Sequence, residues 1–437
     1  MSAERTYPSS AYAWFMVIVL TIAYIFSFID RYILNYLTEL IKADMSLTDF
    51  QLSLLIGPAF AIFYATMGLP LGVLADRKRR TWIVGAGVFI WSLATAASGL
   101  AKHFYHLLIA RVFVGVGEAT LGPCAMSMIS DSFPREKRGK PIAFYTAALS
   151  LGAGIASLFV AKILGWAKSI DNFSLPIIGD VNTWQLAFII VGAPGILLSL
   201  VLFMLREPKR QKTAGGASFT FTDAMSHVAD RWHIYFSFLA FPSLMTIVAY
   251  SQGLYASMFE RTWGMPSETY ALWNGIILLA VGPLTVITAG WVNDKLYAKG
   301  YKDAPLRIVI AGALLIVPTG ILAPLMPTAH LALVTIVFNT IGIACASSTG
   351  VTGLINITPS EIRGQVVAIY YLTISMAGLL LGPTTAALFS DHVYGNEKLN
   401  LALSSVTAMY GIPVLLLIFF ALRVYNAEVE KQEAVVA

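Results

Sequence analysis

The chain has 437 residues, of which 57% are hydrophobic and only 12% charged, with a mean hydropathy of +0.73 and a net charge of +5. Soluble domains carry about 25% charged residues, so this composition excludes an ordinary soluble domain and marks an integral membrane protein. The basic run RKRR at 77–80 reads as a charged loop between membrane spans, and no nucleic-acid partner is expected.

Apolar runs long enough to cross a bilayer as helices of about 20 residues fall at 12–40, 50–75, 81–101, 104–130, 141–165, 184–205, 234–258, 269–292, 306–325, 329–356, 363–389 and 401–422. The first is longer than the roughly 7–15 residue core of a cleaved signal sequence and no small-residue cleavage site follows, so it is expected to stay in the mature chain. It carries FIDRY at 28–32, with Asp30 beside Arg31. Span two ends in a loop containing Gly72, Asp76 and Arg77. His103 and His106 open span four with no carboxylate or cysteine to complete a ligand set, so no metal is assigned. Span four carries Arg111 and, two turns later on the same face, Glu118. Its loop holds Glu136 and Arg138. Gly152 and Gly154 in span five, and Gly378, Gly382 and Pro383 in span eleven, suit closely packed helices.

Residues 206–231 contain REPKRQKTAGGAS, a charged, Pro- and Gly-containing stretch that reads as a linker between an N-terminal half (1–205) and a C-terminal half (232–437). In span seven Gln252 and Tyr255, and in span eleven Tyr370 and Tyr371, are candidate substrate contacts, with core packing as the alternative role. Cys124 and Cys345 lie inside spans and behave as small apolar residues, with no disulfide expected.

Of the 29 Lys and Arg residues, 21 fall on the side holding both termini, 6 on the other side and 2 within spans. Positive loops stay in the cytoplasm, so both termini are expected there, with the chain in the cell (inner) membrane. The halves also repeat. FPREKRGKPIAFY at 133–145 and TPSEIRGQVVAIY at 358–370 match at an offset of 225, pairing Glu136 with Glu361 and Arg138 with Arg363. Gly72 and Asp76 recur as Gly290 and Asp294 at an offset of 218. Such repetition predicts two related six-helix units. Glycines at 72 and 290 would let a neighbouring helix approach closely, and Asp76 is placed to meet the positive N-terminus of another helix.

GLPLGVLADRKRR at 68–80 resembles the loop signature of the major facilitator superfamily, with Arg79 where that signature usually has glycine, and RVFVGVGEA at 111–119 resembles its fourth-helix pattern. Within the superfamily, the Asp30-Arg31 pair, Arg111, GEA and the DSFP loop at 131–134 are most similar to the spinster-type lipid transporters. Organic-anion symporters share several of these residues. The resemblance implies an all-α membrane protein of twelve transmembrane helices in two pseudo-symmetric six-helix halves, working by alternating access without a cofactor. It also implies that Asp76 latches onto the start of span eleven, near Glu361 and Arg363.

A charge at the bilayer centre costs about 2.5–3.5 kcal/mol on insertion scales, so embedded charges face the bundle interior and find partners. At 1.5 Å per residue, Asp30 lies roughly 24 Å from a start near Trp14, and Arg111 roughly 11 Å inward from the opposite surface. The two are therefore expected to pair. A carboxylate beside a guanidinium holds its charge and takes up a proton when the cation turns away, which couples protonation to conformation. Asp30, Arg111 and Glu118 are the expected proton-coupling residues: Asp30 is the principal proton site and Arg111 its partner, while Glu118, a second possible acid for Arg111, competes for it or faces the substrate. Arg31 is expected to receive an anionic headgroup, the alternative being an arginine that extends toward the outer interface. The chain has neither the His-Glu-x-x-His zinc pattern nor the Gly-x-Ser-x-Gly nucleophile turn, so no enzyme is expected. The expected protein is a monomeric, proton-linked carrier of a lysolipid or sphingolipid-like amphiphile, the alternative being a symporter of small organic anions such as sugar acids. Direction and stoichiometry are not written in the sequence.

Overall fold

In a bilayer a backbone amide has no water to bond, so each apolar run must close its own helix. The computed structural model describes residues 7–134, 137–169, 174–175, 179–210, 221–359 and 362–436, and among them twelve helical spans are long and apolar enough to cross a membrane. The protein is an integral, multi-pass membrane protein.

Span one is α1 (Ser10–Met45), and span two combines α2 (Asp49–Ile56) with α3 (Pro58–Arg77). There follow α4 (Arg80–Ser98), then α5 (Phe104–Glu118) and α6 (Leu121–Ser132) as span four, then α7 (Gly139–Lys168) and α8 (Thr183–Met204). A two-residue ribbon, β1 (Ser174–Leu175) against β2 (Gly179–Asp180), lies between α7 and α8. After α9 (Phe221–Asp230), span seven is α10 (Trp232–Ser251) and α11 (Tyr255–Trp263), joined by a 3-10 turn at Gln252–Leu254. The chain ends with α12 (Ser267–Ala298), α13 (Ala304–Leu322), α14 (Ala329–Asn356), α15 (Arg363–Phe389) and α16 (Leu399–Val436).

Helix α1 runs past the expected end at residue 40, because its polar tail finds partners. Lys42 Nζ meets Asp49 Oδ1 at 2.5 Å, and Asp44 accepts from Asn182 Nδ2 and Trp184 Nε1 at 2.9 and 3.1 Å. Span two restarts through a capping box, in which Thr48 Oγ1 accepts from Gln51 N and Gln51 Oε1 from Thr48 N, satisfying two otherwise orphaned amides.

The backbone divides into two compact units, Met1–Gly215 with Pro266–Ile276, and Gly216–Met265 with Ile277–Ala437. The first boundary falls inside the expected linker. The start of α12, however, groups with the first unit: Asn274 Nδ2 donates to Tyr36 Oη at 3.0 Å, Tyr36 Oη lies 2.6 Å from Ser157 Oγ, and Lys168 pairs with Glu268 at 2.7 Å.

Each unit is built by the same pairings. In the first, α1 packs on α7, α4 on α8 and α4 on α5; in the second, α10 packs on α15, α13 on α16 and α13 on α14. One close crossing recurs residue for residue. A Cβ on Gly117 would lie 2.7 Å from the Gly87 carbonyl oxygen, and one on Gly342 would lie 2.8 Å from that of Gly312. These two pairs stand at the 225-residue offset of the loop repeat. Backbones can meet there only because both partners lack a side chain.

The repeated loop has a matching role in each unit. Arg138 Nε donates to the Phe133 carbonyl at 2.8 Å, and Arg363 Nη2 donates to the Thr358 carbonyl at 3.1 Å. Each guanidinium reaches back five residues to a carbonyl just past a helix end, fixing the turn that leaves the helix. Arg138→Met and Arg363→Met are each expected to lower stability by about 1 kcal/mol without changing substrate affinity, as read by thermal unfolding alongside a binding titration.

Candidate functional site

Neighbouring positions on a helix point about 100° apart, so Asp30 and Arg31 of α1 address different partners. Arg31 reaches Glu118, with Nε and Nη2 at 2.7 and 2.6 Å from Oε2. Its guanidinium carbon also lies 4.7 Å from the ring centre of Phe60 and 4.8 Å from that of Tyr64. Aromatic faces carry negative charge density and hold a cation in place. Glu118 is presented by a break in span four. After it, Thr120 turns back so that its hydroxyl donates to the Gly117 carbonyl at 2.8 Å, and α6 begins at Leu121.

Asp30 and Arg111 are brought together, but in a different way from the expected ion pair. Arg111 Nη1 donates to the main-chain carbonyl of Asp30 at 3.0 Å, and its guanidinium lies 5.7 Å from the Phe188 ring centre. The Asp30 side chain is buried, and no salt bridge joins its carboxylate to Arg111. Sequence spacing gave Arg111 two possible acids, Asp30 and Glu118; the structure gives Glu118 to Arg31 instead.

Asp30, Arg111 and Glu118 are only 2%, 4% and 2% exposed. Each nevertheless keeps one buried polar atom without a partner: Asp30 Oδ1, Arg111 Nη2 and Glu118 Oε1. Buried polar groups are nearly always bonded, and leaving them open is costly. Two acids and two guanidiniums in one cluster, with an acceptor open on each acid and a donor open on Arg111, can receive a proton or a ligand's polar group with little rearrangement.

A cavity of about 230 Å³ opens beside this cluster. Arg31, Glu118 and Ser27 form its polar side, and Leu121, Met126 and the Tyr24–Tyr145 stack, with rings 5.1 Å apart, form its apolar side.

In the second unit, Gln252 Nε2 donates to Asn339 Oδ1 at 2.7 Å, and Asn339 Nδ2 in turn bonds the Ile316 carbonyl and Thr319 Oγ1. Tyr255 is buried at the start of α11, and Tyr370 lies in an apolar cluster with Ile234, Tyr235 and Phe238. Tyr371 is exposed, its ring 5.3 Å from that of Tyr370.

The loop residues behave differently from the close-approach expectation. A Cβ built on Gly72 or Gly290 meets nothing within 4 Å, so neither glycine serves close packing in this conformation. Asp76 and Arg77 are exposed at the end of α3. Arg210 donates to the main-chain carbonyls of Ala75, Asp76 and Lys78, closing that helix end. Asp294 is exposed, beside Asn293. Glu136 and Glu361 lie outside the described residues.

A second charge cluster escaped the sequence reading. Arg80, fully buried, bonds Asp131 Oδ2 at 2.5 Å, Glu207 Oε1 at 2.7 Å, Ser127 Oγ at 2.7 Å and the Pro208 carbonyl at 2.9 Å. Glu207 Oε2 also accepts from Thr81 N at the start of α4. One guanidinium thereby ties α4, α6 and the chain after α8. The only signal was its place last in RKRR, where helix periodicity turns it inward while its neighbours face out.

Residues 20–383 match the Major Facilitator Superfamily model. The chain belongs to the major facilitator superfamily. A bacterial homolog of the human lysosomal transporter spinster, in an inward-facing and unoccupied conformation, is similar to it with a TM-score of 0.83 and 26% identity, covering 96% of this chain and 99% of that one. An MFS-type efflux pump of Mycolicibacterium smegmatis is 28% identical over 74% of this chain and 71% of its own length. The spinster protein of Drosophila melanogaster is 26% identical over 70% of this chain and 49% of its own length, and a probable L-galactonate transporter of Escherichia coli is 29% identical over 43% and 38% respectively. This superfamily member is therefore a membrane transporter, and its fold is similar to that of the bacterial spinster homolog over 96% of the chain.

Proposed function

We propose that the protein is a proton-linked secondary transporter of a lysolipid or sphingolipid-like amphiphile, its two halves exposing the site to alternate sides of the membrane. The observation that carries the reading is the buried cluster of Asp30, Arg31, Arg111 and Glu118, with its three open polar atoms, next to a cavity that is charged on one side and aromatic on the other. In this reading Asp30 takes the proton. Arg31 exchanges Glu118 for the substrate's anionic headgroup, and Arg111 senses the state of both acids. Asp76, Arg77 and Arg138, with Asp294 and Arg363, lie at the ends of spans where latches between conformations would act, and Glu136 and Glu361 belong to the same repeated loops of the sequence. The open space at Gly72 and Gly290 is room for a helix to close upon in another state. Gln252, Tyr255, Tyr370 and Tyr371 are contacts that the second half would supply during the cycle. Both termini lie in the cytoplasm, and the working unit is the monomer.

A sugar-acid symporter is the second reading, favoured by the hydroxyls of Ser27, Tyr24, Tyr145 and Thr146 around the cavity and by the names of several relatives, among them a hexuronate transporter of Bacillus subtilis. The two readings differ in what the apolar wall is for. A buried methylene contributes about 0.8 kcal/mol, so amphiphile affinity should rise roughly fourfold for each added carbon that reaches the wall. Competition in proteoliposomes between lysophospholipids of increasing chain length and short sugar acids decides the matter. Affinity independent of chain length, with full competition by the sugar acids, rejects the lipid reading.

A further inference from the structure

A second groove lies on the outer side of the first unit, separate from the cavity at Arg31. It encloses about 470 Å³ between α3, α4 and α5. One wall is Leu71 and Leu74 of α3, and the other is Trp82, Ile83 and Ile90 of α4. Its floor is the crossing of Gly87 and Gly117, where the two backbones touch, with Val116 and Thr120 beside them.

Three features of this groove bear on an occupant. It is apolar along its length. From Arg79 to Ile90 it follows eleven residues of helix, roughly 16 Å at 1.5 Å per residue, which matches one leaflet of a hydrocarbon core about 30 Å thick. Its mouth is cationic: Lys78 and Arg79 line it, and both are exposed. Arg79 lies 5.3 Å from the ring centre of Trp82, a residue 56% exposed at the depth where aromatic anchors meet headgroups. Of the acids nearby, Glu207 is taken by Arg80 and Thr81 N, and Asp76, at the end of α3, is exposed to solvent, which screens its charge.

We propose that this groove is a binding site for one anionic phospholipid of the adjoining leaflet, its phosphate held by Lys78 and Arg79 and one acyl chain laid along Leu71, Leu74, Ile83 and Ile90. Basic pockets between spans select anionic headgroups, and the groove supplies the chain's contact that a flat helix face lacks. The site does not depend on the identity of the transported substrate. It does touch the transport machinery from behind: Gly117 and Thr120 in its floor flank Glu118. A seated acyl chain supports the break in span four that presents this acid to Arg31.

The test is native mass spectrometry of the full-length protein released from mixed micelles containing phosphatidylglycerol and phosphatidylcholine of equal chain length. One phosphatidylglycerol is expected to remain bound, in at least fivefold excess over phosphatidylcholine. Lys78→Glu with Arg79→Glu should abolish that preference. Ala86→Phe, which fills the groove and leaves the cations in place, should lower retention of both lipids by a similar factor. Lys102→Glu, at the opposite end of the spans, serves as the control and should change nothing. Equal retention of the two lipids, or retention unaltered by Ala86→Phe in a protein of unchanged unfolding temperature, overturns the proposal. Displacement of phosphatidylglycerol by a transported lysolipid also overturns it, since the groove would then be an entry route for substrate.

Discussion

Asp30→Asn is expected to abolish the response of transport to an imposed pH gradient while leaving the fold and substrate binding in place. The amide keeps the shape of the acid but cannot ionise. The surroundings survive the change because Arg111 holds the main-chain carbonyl of residue 30, which the substitution does not touch. For one coupled proton, a gradient of one pH unit is worth about 1.4 kcal/mol, or about tenfold accumulation. Proteoliposomes carrying Asp30→Asn should lose that accumulation and still exchange substrate down its own gradient. Gradient-driven accumulation equal to that of the unaltered protein removes Asp30 as the proton site. Loss of exchange as well would mean that the acid binds substrate.

The second large effect is structural. Arg80→Met should lower stability by about 3–5 kcal/mol, the usual cost of breaking a buried pair from one side, because Asp131 and Glu207 would be left without their cation. Arg80→Lys should recover part of the loss, since one ammonium cannot reach both acids and the Pro208 carbonyl as a planar fork does. Adding Glu207→Gln to Arg80→Met should recover more than either single change predicts, by removing one of the stranded charges. Unfolding temperatures in detergent measure all three. An unchanged midpoint for Arg80→Met would make the cluster incidental to stability.

The fold was legible because the membrane allows so few solutions: twelve apolar runs had to become twelve spans, and the loop repeat announced the duplication. The convergence of Asp30, Arg31, Arg111 and Glu118 was legible because a buried charge has to have company. Who pairs with whom was not. Helix geometry gives depth and facing to within a turn, whereas the choice between Glu118 and Asp30 as the acid of a given arginine depends on rotamers and on ring faces such as Phe60, Tyr64 and Phe188, which lie in other spans. The open space at Gly72 and Gly290 was not legible for a related reason, because a glycine motif does not say in which conformation its neighbour arrives. The role of Arg138 and Arg363 was missed because a guanidinium that caps its own loop leaves no trace in charge patterning.

The two glycine crossings and the two capping arginines also order events in the history of the gene. A stretch of chain encoding six spans had to cross its third and fourth helices closely and finish the fourth one unaided, and both halves still do so with the same residues at the same offset. Those solutions date from the common ancestor of the halves. The 225-residue register that aligns them sets Ile336 against Arg111 and Ile343 against Glu118, so these two charges have no counterpart in the second copy. Laboratory selection for new cargo should therefore accept changes at Ile336 and Ile343 far more readily than at their charged counterparts.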